Sequence, residues 1–212
     1  NSPQILMLSG IGPGKHLRAL DIQVALDRPA VGSNLQDHID YVSCWESASR
    51  VPIGRSAEGT LRMARAVLEH RRRRTGAMTT PYAEAGGFWS VMPDAPAPDV
   101  QWHFVPAMLE DHGRERLSGH GVSLHACVLR PESRGTVRLA SPDAAAAPAI
   151  DPNFLDDERD IATLREGVRV SHRIADVMPL AGYGLADRHP VDLSDDTALD
   201  ALIRERADTV YH

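Results

Sequence analysis

Two histidines and a glutamate in the middle of the chain are candidates for chemistry by residue type. His103 and His125 alternate with apolar neighbours on predicted strands, so each could line a pocket or serve as a hydrogen-bonded structural histidine. Histidine suits proton transfer because its pKa lies near neutral pH. Glu84 precedes another predicted strand, where its carboxylate could face a substrate, including a cationic headgroup, or simply be solvated. By residue type these side chains are candidates for a substrate pocket.

Several other chemistries are excluded by spacing. His112 and His120 flank a loop rich in Asp, Arg and Glu, but their spacing matches no zinc pattern, so we predict no metal site. No serine stands in a G-x-S-x-G elbow, which argues against a serine hydrolase. The run from Gly10 to Lys15 fails both the dinucleotide pattern G-x-G-x-x-G and the P-loop pattern, and it follows a predicted helix rather than a strand. A helix stop is the better interpretation of those glycines.

The composition is that of an ordinary soluble globular protein. The 212 residues carry a formal net charge of −6, with 42% hydrophobic and 25% charged residues. The acidic balance argues against a general nucleic-acid binder, and no apolar run approaches the roughly 20 residues that span a bilayer. Cys44 and Cys127 are too few for a disulfide scaffold and fit buried free thiols. We therefore predict a cytoplasmic protein with no nucleic-acid partner and no membrane span.

Hydrophobic periodicity predicts the elements that position these side chains. Strands are expected over 22–26, 41–45, 86–89, 99–106, 122–129 and 135–139, and helices over 2–9, 58–74, 156–177 and 194–206. Ser194 is the expected N-cap of the last helix. Several neighbouring strands without intervening helices favour an antiparallel sheet. The predicted fold class is therefore α+β, an antiparallel β-sheet with flanking helices.

The opening residues form a short capped helix in this interpretation. Ser2 is the expected N-cap, Pro3 fits the first helical position, and Gly10 supplies the left-handed stop. The unbroken apolar run from Ile5 to Leu8 predicts burial on most faces. Because a domain rarely begins in the cap of a buried helix, we expect the chain to be cut from a longer protein. Such a helix would lack its neighbours and could mediate homo-oligomerisation.

The same opening segment resembles a family signature. Its letters S-P-Q-I-L-M-L-S-G-I-G-P are similar to the second signature of the glucose–methanol–choline (GMC) oxidoreductases, the flavoenzyme family of choline dehydrogenase and related alcohol dehydrogenases and oxidases. The segment V-G-S-N-L-Q-D-H resembles another element of that family. Further similar segments lie at 84–88, 99–106, 129–137, 148–154 and 207–212. The resemblance therefore covers nearly the whole chain.

The resemblance implies an architecture and a reaction. Residues 40–205 would form a substrate-binding domain that meets an alcohol, while residues 1–39 and 206–212 would belong to an FAD-binding domain. His212 ends the family pattern T-x-Y-H and would be the catalytic base. It would take the hydroxyl proton while hydride passes to flavin N5. Glu84 would then be a substrate-binding residue, and His103 another.

The cofactor implied by the resemblance is FAD, with Asn34, Asp37 and His38 as the candidate cofactor-binding residues. On residue type alone these three could also form only a hydrogen-bonded turn. The chain contains no G-x-G-x-x-G, so we expect that the isolated chain neither retains FAD nor oxidises alcohols. The alternative interpretation is a non-catalytic α+β binding or interaction module.

Overall fold

The computed structural model describes residues 1–115 and 117–210, and it confirms the predicted α+β class with an antiparallel sheet. The helices of the described chain are α1 (Ser2–Leu8), α2 (Gly14–Ala19), α3 (Ala57–Arg73), α4 (Glu158–Ala175) and α5 (Asp196–Arg206). Its strands are β1 (Ile11–Gly12), β2 (Leu26–Asp27), β3 (Ser33–Leu35), β4 (Ile39–Ser47), β5 (Gly54–Arg55), β6 (Ala85–Trp89), β7 (Val100–Val105), β8 (Gly119–Val128), β9 (Gly135–Arg138), β10 (Ala149–Asp151), β11 (Leu185–Asp187) and β12 (Asp208–Thr209). No described helix is both long and apolar enough to cross a membrane.

The described chain divides into two compact units. The first contains Asn1–His38 and Pro131–Asp160, and the second contains Ile39–Arg130 and Ile161–Val210. Strand pairing explains why a late segment joins the first unit, since β9 pairs with both β3 and β10. The limits expected from the sequence, 1–39, 40–205 and 206–212, refer to domains of a longer enzyme and stay a prediction.

The second unit is built on one antiparallel sheet. Its strand order is β11-β4-β8-β7-β6, and the short β12 also pairs with β4. Successive side chains of a strand point to opposite faces, so the sheet has two chemically different faces. On the apolar face, Trp102 of β7 donates its indole N–H to the hydroxyl oxygen of Ser171 in α4, at 3.0 Å. A side chain at Gly167 of α4 would press against Ala126 and Val100, so glycine permits this close packing.

A small core holds the first unit together. Met7 of α1 packs with Leu17 of α2 and with Leu139, which follows β9, and all three side chains are buried. β1 and β2 pair in parallel beside this core. The core is small because only one face of each short helix contributes to it.

Two predictions about the opening residues are wrong in detail. α1 begins at Ser2, so Asn1 and not Ser2 occupies the N-cap position. Burial on most faces was expected, but Met7 is the buried residue of α1, and the side chain of Ile5 is 62% exposed. The apolar run is thus buried on one face. The left-handed stop at Gly10 is present, with φ at +80°.

The ends of two other predicted elements also differ. The strand expected over 22–26 reduces to β2, which begins at Leu26, while Ile22 and Val24 pack against the Met7 core. The N-cap of α5 is Asp195 rather than Ser194. Its carboxylate accepts hydrogen bonds from the backbone N–H groups of Thr197 and Ala198. An acidic residue at this position also suits the positive end of the helix dipole.

A buried carboxylate organises the turn that precedes β9. Asp160, in the first turn of α4, is 2% exposed and accepts hydrogen bonds from the backbone N–H groups of Glu132 and Ser133, at 2.7 and 2.9 Å. The hydroxyl oxygen of Ser133 accepts in turn from the backbone N–H of Asp157, at 3.0 Å. The segment P-E-S-R-G, residues 131–135, therefore has a structural explanation within the first unit.

We expect Asp160→Ala to lower the free energy of unfolding by about 2–3 kcal/mol, because two backbone donors lose a charged acceptor in a buried site. Urea denaturation followed by circular dichroism measures this change. Asp156→Ala is the matched control, since Asp156 is exposed, and it should change stability by less than about 0.5 kcal/mol. Equal effects of the two substitutions would contradict this role of Asp160.

Candidate active site

The polar face of the second unit's sheet brings together residues from three strands. His103 of β7 lies directly opposite His125 of β8, and Val42 of β4 lies opposite His125 on its other side. Asp40 is two residues before Val42 and therefore shares its face. The two histidine rings meet edge to face, with centroids 6.3 Å apart. The sheet register thus groups an aspartate and two histidines.

Asp40 and His125 form a buried pair. His125 Nδ1 lies 2.6 Å from Asp40 Oδ2, and the two residues are 9% and 4% exposed. An ionised carboxylate oxygen can only accept, so Nδ1 donates the hydrogen bond. The second oxygen of Asp40 and Nε2 of His125 are both buried without a hydrogen-bond partner among the described residues. Buried polar atoms are rarely left unpaired. Asp40 Oδ1 and His125 Nε2 could therefore each form one further hydrogen bond.

A second charged cluster lies over the same face. Glu110 is 6% exposed. Its Oε1 accepts hydrogen bonds from Arg188 Nε at 2.6 Å and from His189 Nε2 at 2.9 Å, and Arg206 Nη2 lies 3.4 Å from Oε2. Burial raises the pKa of Glu110, but the hydrogen bonds from Arg188 and His189 outweigh burial and hold the pKa below its usual range. Glu110 therefore stays ionised among three basic side chains.

Ser123 positions the segment that carries Glu110. This fully buried serine of β8 donates from its hydroxyl to the carbonyl oxygen of Ala107, at 2.9 Å, and accepts from the backbone N–H of Leu109, at 2.8 Å. Ser123 is two residues before His125, so it shares the polar face. The same β8 side-chain row therefore fixes both clusters.

A cavity of about 270 Å³ opens between these groups. It is lined by Asp40, Val42, Glu110, Asp111, Glu115, Glu205, Arg206, Ala207 and Asp208. Asp208 of β12 lies directly opposite Asp40, which brings the last described residues to this face. The predicted base His212 lies outside the described residues.

A larger and more apolar cavity lies beside α3. Its volume is about 840 Å³, and its lining includes Met63 and Val67 of α3 together with Tyr82, Met108 and Leu117. No residue of α3 is buried, although its sequence is amphipathic. The cavity explains this, because the apolar side of α3 faces open space.

The two predicted substrate residues, His103 and Glu84, differ in their surroundings and exposure. His103 joins the Asp40–His125 pair, as described. Glu84 is exposed, and its carboxylate accepts a hydrogen bond from the Thr80 hydroxyl at 2.8 Å. Its role in binding substrate stays a prediction.

The predicted cofactor residues lie in the first unit. Asn34 is exposed and has a left-handed backbone, with φ at +61°. Asp37 accepts a hydrogen bond from the backbone N–H of His38, at 2.9 Å. Asn34 lies in β3, and Asp37 and His38 follow it in a segment without regular structure. None of the three belongs to a glycine-rich cradle for a diphosphate, so these three residues do not hold FAD by themselves. Their role toward a cofactor stays a prediction.

Sequence reasoning missed the two carboxylates that organise the site. Asp40 interrupts the apolar start of β4, between Ile39 and Tyr41, and an acidic residue in a buried strand was the available signal. Glu110 gave no such signal, since it follows β7 in an irregular segment. Cys44 and Cys127 are buried free thiols, as predicted. Burial raises the pKa of the Cys44 thiol.

Comparison with known proteins shows similarity to one family of oxidoreductases. Residues 131–212 match the family model described as GMC oxidoreductase. The whole chain aligns with alcohol dehydrogenase (acceptor) of Pseudomonas putida at 38% identity and with mitochondrial choline dehydrogenase of Mus musculus at 39% identity. The alignments cover 39% and 36% of those proteins. The chain thus spans well under half of the relatives that it matches.

Solved structures show the same fold. Formate oxidase of Aspergillus oryzae superposes with a TM-score of 0.85 over 99% of this chain and 41% of that chain, at 22% identity. Pyridoxine 4-oxidase from Mesorbium loti superposes with a TM-score of 0.77 over the full chain and 38% of that chain, at 24% identity. The α+β architecture of the chain is therefore that of a part of these oxidases.

We expect Glu110→Gln to lower the free energy of unfolding by about 2–3 kcal/mol near pH 7. Removing one partner of a fully buried ion pair costs ~3–5 kcal/mol. We expect a smaller loss here because the side chains of Arg188 and Arg206 are 28% and 26% exposed. The pKa of Glu110 is depressed, so its stabilisation is present above the unfolded pKa of about 4.3 and is lost as pH falls through the folded pKa. The wild-type advantage should therefore shrink between about pH 5 and pH 3.

Urea titrations of both proteins at several pH values measure that difference. Glu205→Gln is the charge-matched control, because Glu205 lines the same cavity but is exposed. It should cost less than about 0.5 kcal/mol. A wild-type advantage that does not change with pH would count against an ionised Glu110.

Proposed function

We propose, since residues 131–212 match the family model described as GMC oxidoreductase, that this chain supplies the substrate-facing sheet of an FAD-dependent enzyme that oxidises alcohols. The observation that carries the proposal is the whole-chain alignment with an alcohol dehydrogenase and a choline dehydrogenase. The polar face of the sheet supports it, because His103, His125 and Asp40 offer hydrogen-bonding groups to a small molecule. Within the intact enzyme, FAD would supply the acceptor for hydride.

His212 is the proposed base of that reaction. It ends the T-x-Y-H pattern, and a histidine is suited to taking the hydroxyl proton of an alcohol near neutral pH. β12 supports this assignment, since Asp208 and Thr209 pair with Asp40 and Ile39 at the edge of the polar face. The strand thus brings the chain to that face three residues before His212.

Two further residues are proposed to contact the substrate. His103 shares the polar face and is only partly buried, and its ring meets that of His125 edge to face. Glu84 is exposed just before β6, where its carboxylate would suit a cationic part of a substrate. Asn34, Asp37 and His38 are proposed to lie near the cofactor in the intact enzyme. The exposed Ile5 of α1 is consistent with association between copies of the isolated chain.

A chimera tests the proposed base. This chain replaces its aligned segment in the Pseudomonas putida alcohol dehydrogenase, and dye reduction by primary alcohols is measured. We expect His212→Ala to lower kcat by about 10²–10⁴-fold, the usual contribution of general base catalysis, without loss of bound flavin. His70→Ala is the control, since His70 lies in the last turn of α3, and it should leave kcat unchanged. Equal losses in both variants would refute the assignment.

The isolated chain should not retain flavin. Because the described residues offer no glycine-rich cradle for the diphosphate of FAD, we expect no flavin absorption band after desalting of purified protein. The chimera, which regains the rest of the FAD domain, should show that absorption and is the positive control. A stoichiometric flavin band in the desalted isolated chain would contradict the expectation.

A further inference from the structure

The small cavity beside Asp40 has an unusual charge. Among the described residues of its lining, the carboxylates of Asp40, Glu110, Asp111, Glu115, Glu205 and Asp208 outnumber one guanidinium, that of Arg206. Some of this charge is already compensated, because Glu110 is surrounded by basic side chains and Asp111 pairs with Arg114 at 2.6 Å. Glu205 and Asp208 are exposed to solvent. The cavity therefore excludes anions and favours a cation.

Asp40 gives this cavity an unpaired hydrogen-bond acceptor as well as a charge. Its side chain is 3% exposed, and His125 occupies Oδ2. Oδ1 is buried and has no hydrogen-bond partner among the described residues. Asp40 shares its face of the sheet with Val42 and, across the strand pair, with Asp208, and all three line the cavity. The free oxygen thus belongs to a carboxylate held on the cavity side of the sheet.

We propose that the cavity binds a small protonated amine whose N–H donates to Oδ1 of Asp40. A carboxylate oxygen can be satisfied only by a donor, and an ammonium group offers up to three donors together with the positive charge that the lining favours. A quaternary ammonium carries the charge without a donor, and a neutral alcohol carries a donor without the charge. The described residues contain no group of three side chains arranged to hold a metal ion.

The cavity's size limits the ligand. A volume of about 270 Å³ lies at the small end of ligand pockets, which usually span roughly 300–1,000 Å³. An alkylammonium of three or four carbons is therefore a suitable probe. His125 has a positioning role, since its hydrogen bond to Oδ2 fixes the carboxylate and leaves Oδ1 as the acceptor.

Calorimetric titration of the chain tests the proposal with three probes of similar size: propylammonium chloride, tetramethylammonium chloride and propan-1-ol. We expect saturable binding of propylammonium only, with at least tenfold weaker binding of the other two probes. Equal affinity for propylammonium and tetramethylammonium would mean that the negative charge of the lining alone attracts cations, and it would overturn the proposal. No saturable binding of any probe would overturn it as well.

Matched variants locate the site. Asp40→Asn removes one charge and should weaken propylammonium binding at least tenfold. Asp111→Asn removes the same charge at the rim and should weaken binding by no more than about threefold, as expected of a screened surface charge. If Asp40→Asn does not fold by circular dichroism, the His125 ring signals of the wild-type chain provide the second readout in NMR. They should shift with propylammonium and not with propan-1-ol, and unshifted signals would refute the site.

This proposal does not depend on alcohol oxidation. Binding is measured on the isolated chain without FAD, whereas the test of His212 is a rate measured in the chimera. Each proposal can therefore fail while the other stands.

Discussion

The antiparallel pairing of β4 with β8 is the constraint on which the rest of the second unit depends. Its register sets Val42 opposite His125 and Asp40 opposite Cys127, and the Asp40 side chain reaches diagonally to His125. A slip of one residue would move every side chain of a strand to the other face. It would bury the polar pair against α4 and expose apolar side chains. The packing of the apolar face against α4 opposes such a slip. Strand β7, which pairs with β8, is held to α4 by the Trp102–Ser171 hydrogen bond.

The same strand pair governs the two charged clusters. Ser123 of β8 holds the segment before Glu110, and β4 holds β12 at Asp40. Glu110 then receives Arg188 from the segment after β11 and Arg206 from the end of α5. α5 is itself anchored by Leu199 and Ile203, both fully buried. The burial of these apolar side chains thus positions α5, and this places the guanidinium of Arg206 beside Glu110.

Periodicity predicted the elements that bury apolar side chains. The alternation in β7 and the helical spacing in α4 are local signals, and the structure has both elements close to their expected bounds. Caps and short strands were less predictable, because Ser194 and Asp195 are both good N-caps and backbone geometry decides between them. The exposure of Ile5 was not predictable from an apolar run, which does not indicate what lies beside it.

The candidate site was harder to predict than the fold because its contacts are long-range. Asp40 and His125 are separated by 85 residues, and Glu110 and Arg188 by 78. Residue type identified His103 and His125 as candidates, but only the strand register unites them with Asp40. His212 was identified by resemblance alone, and its role rests on the family pattern.

A buried aspartate in an apolar strand conflicts with the local rule that such positions are hydrophobic. Pairing with His125 resolves only half of the conflict, since one oxygen and one ring nitrogen remain without partners among the described residues. A pair retained only for stability would be expected to satisfy both members, because an unpaired buried acceptor costs about 1–3 kcal/mol. Positions that break a local rule without a compensating contact are typical of functional sites. The unpaired Oδ1 of Asp40 therefore points to a ligand rather than to the fold.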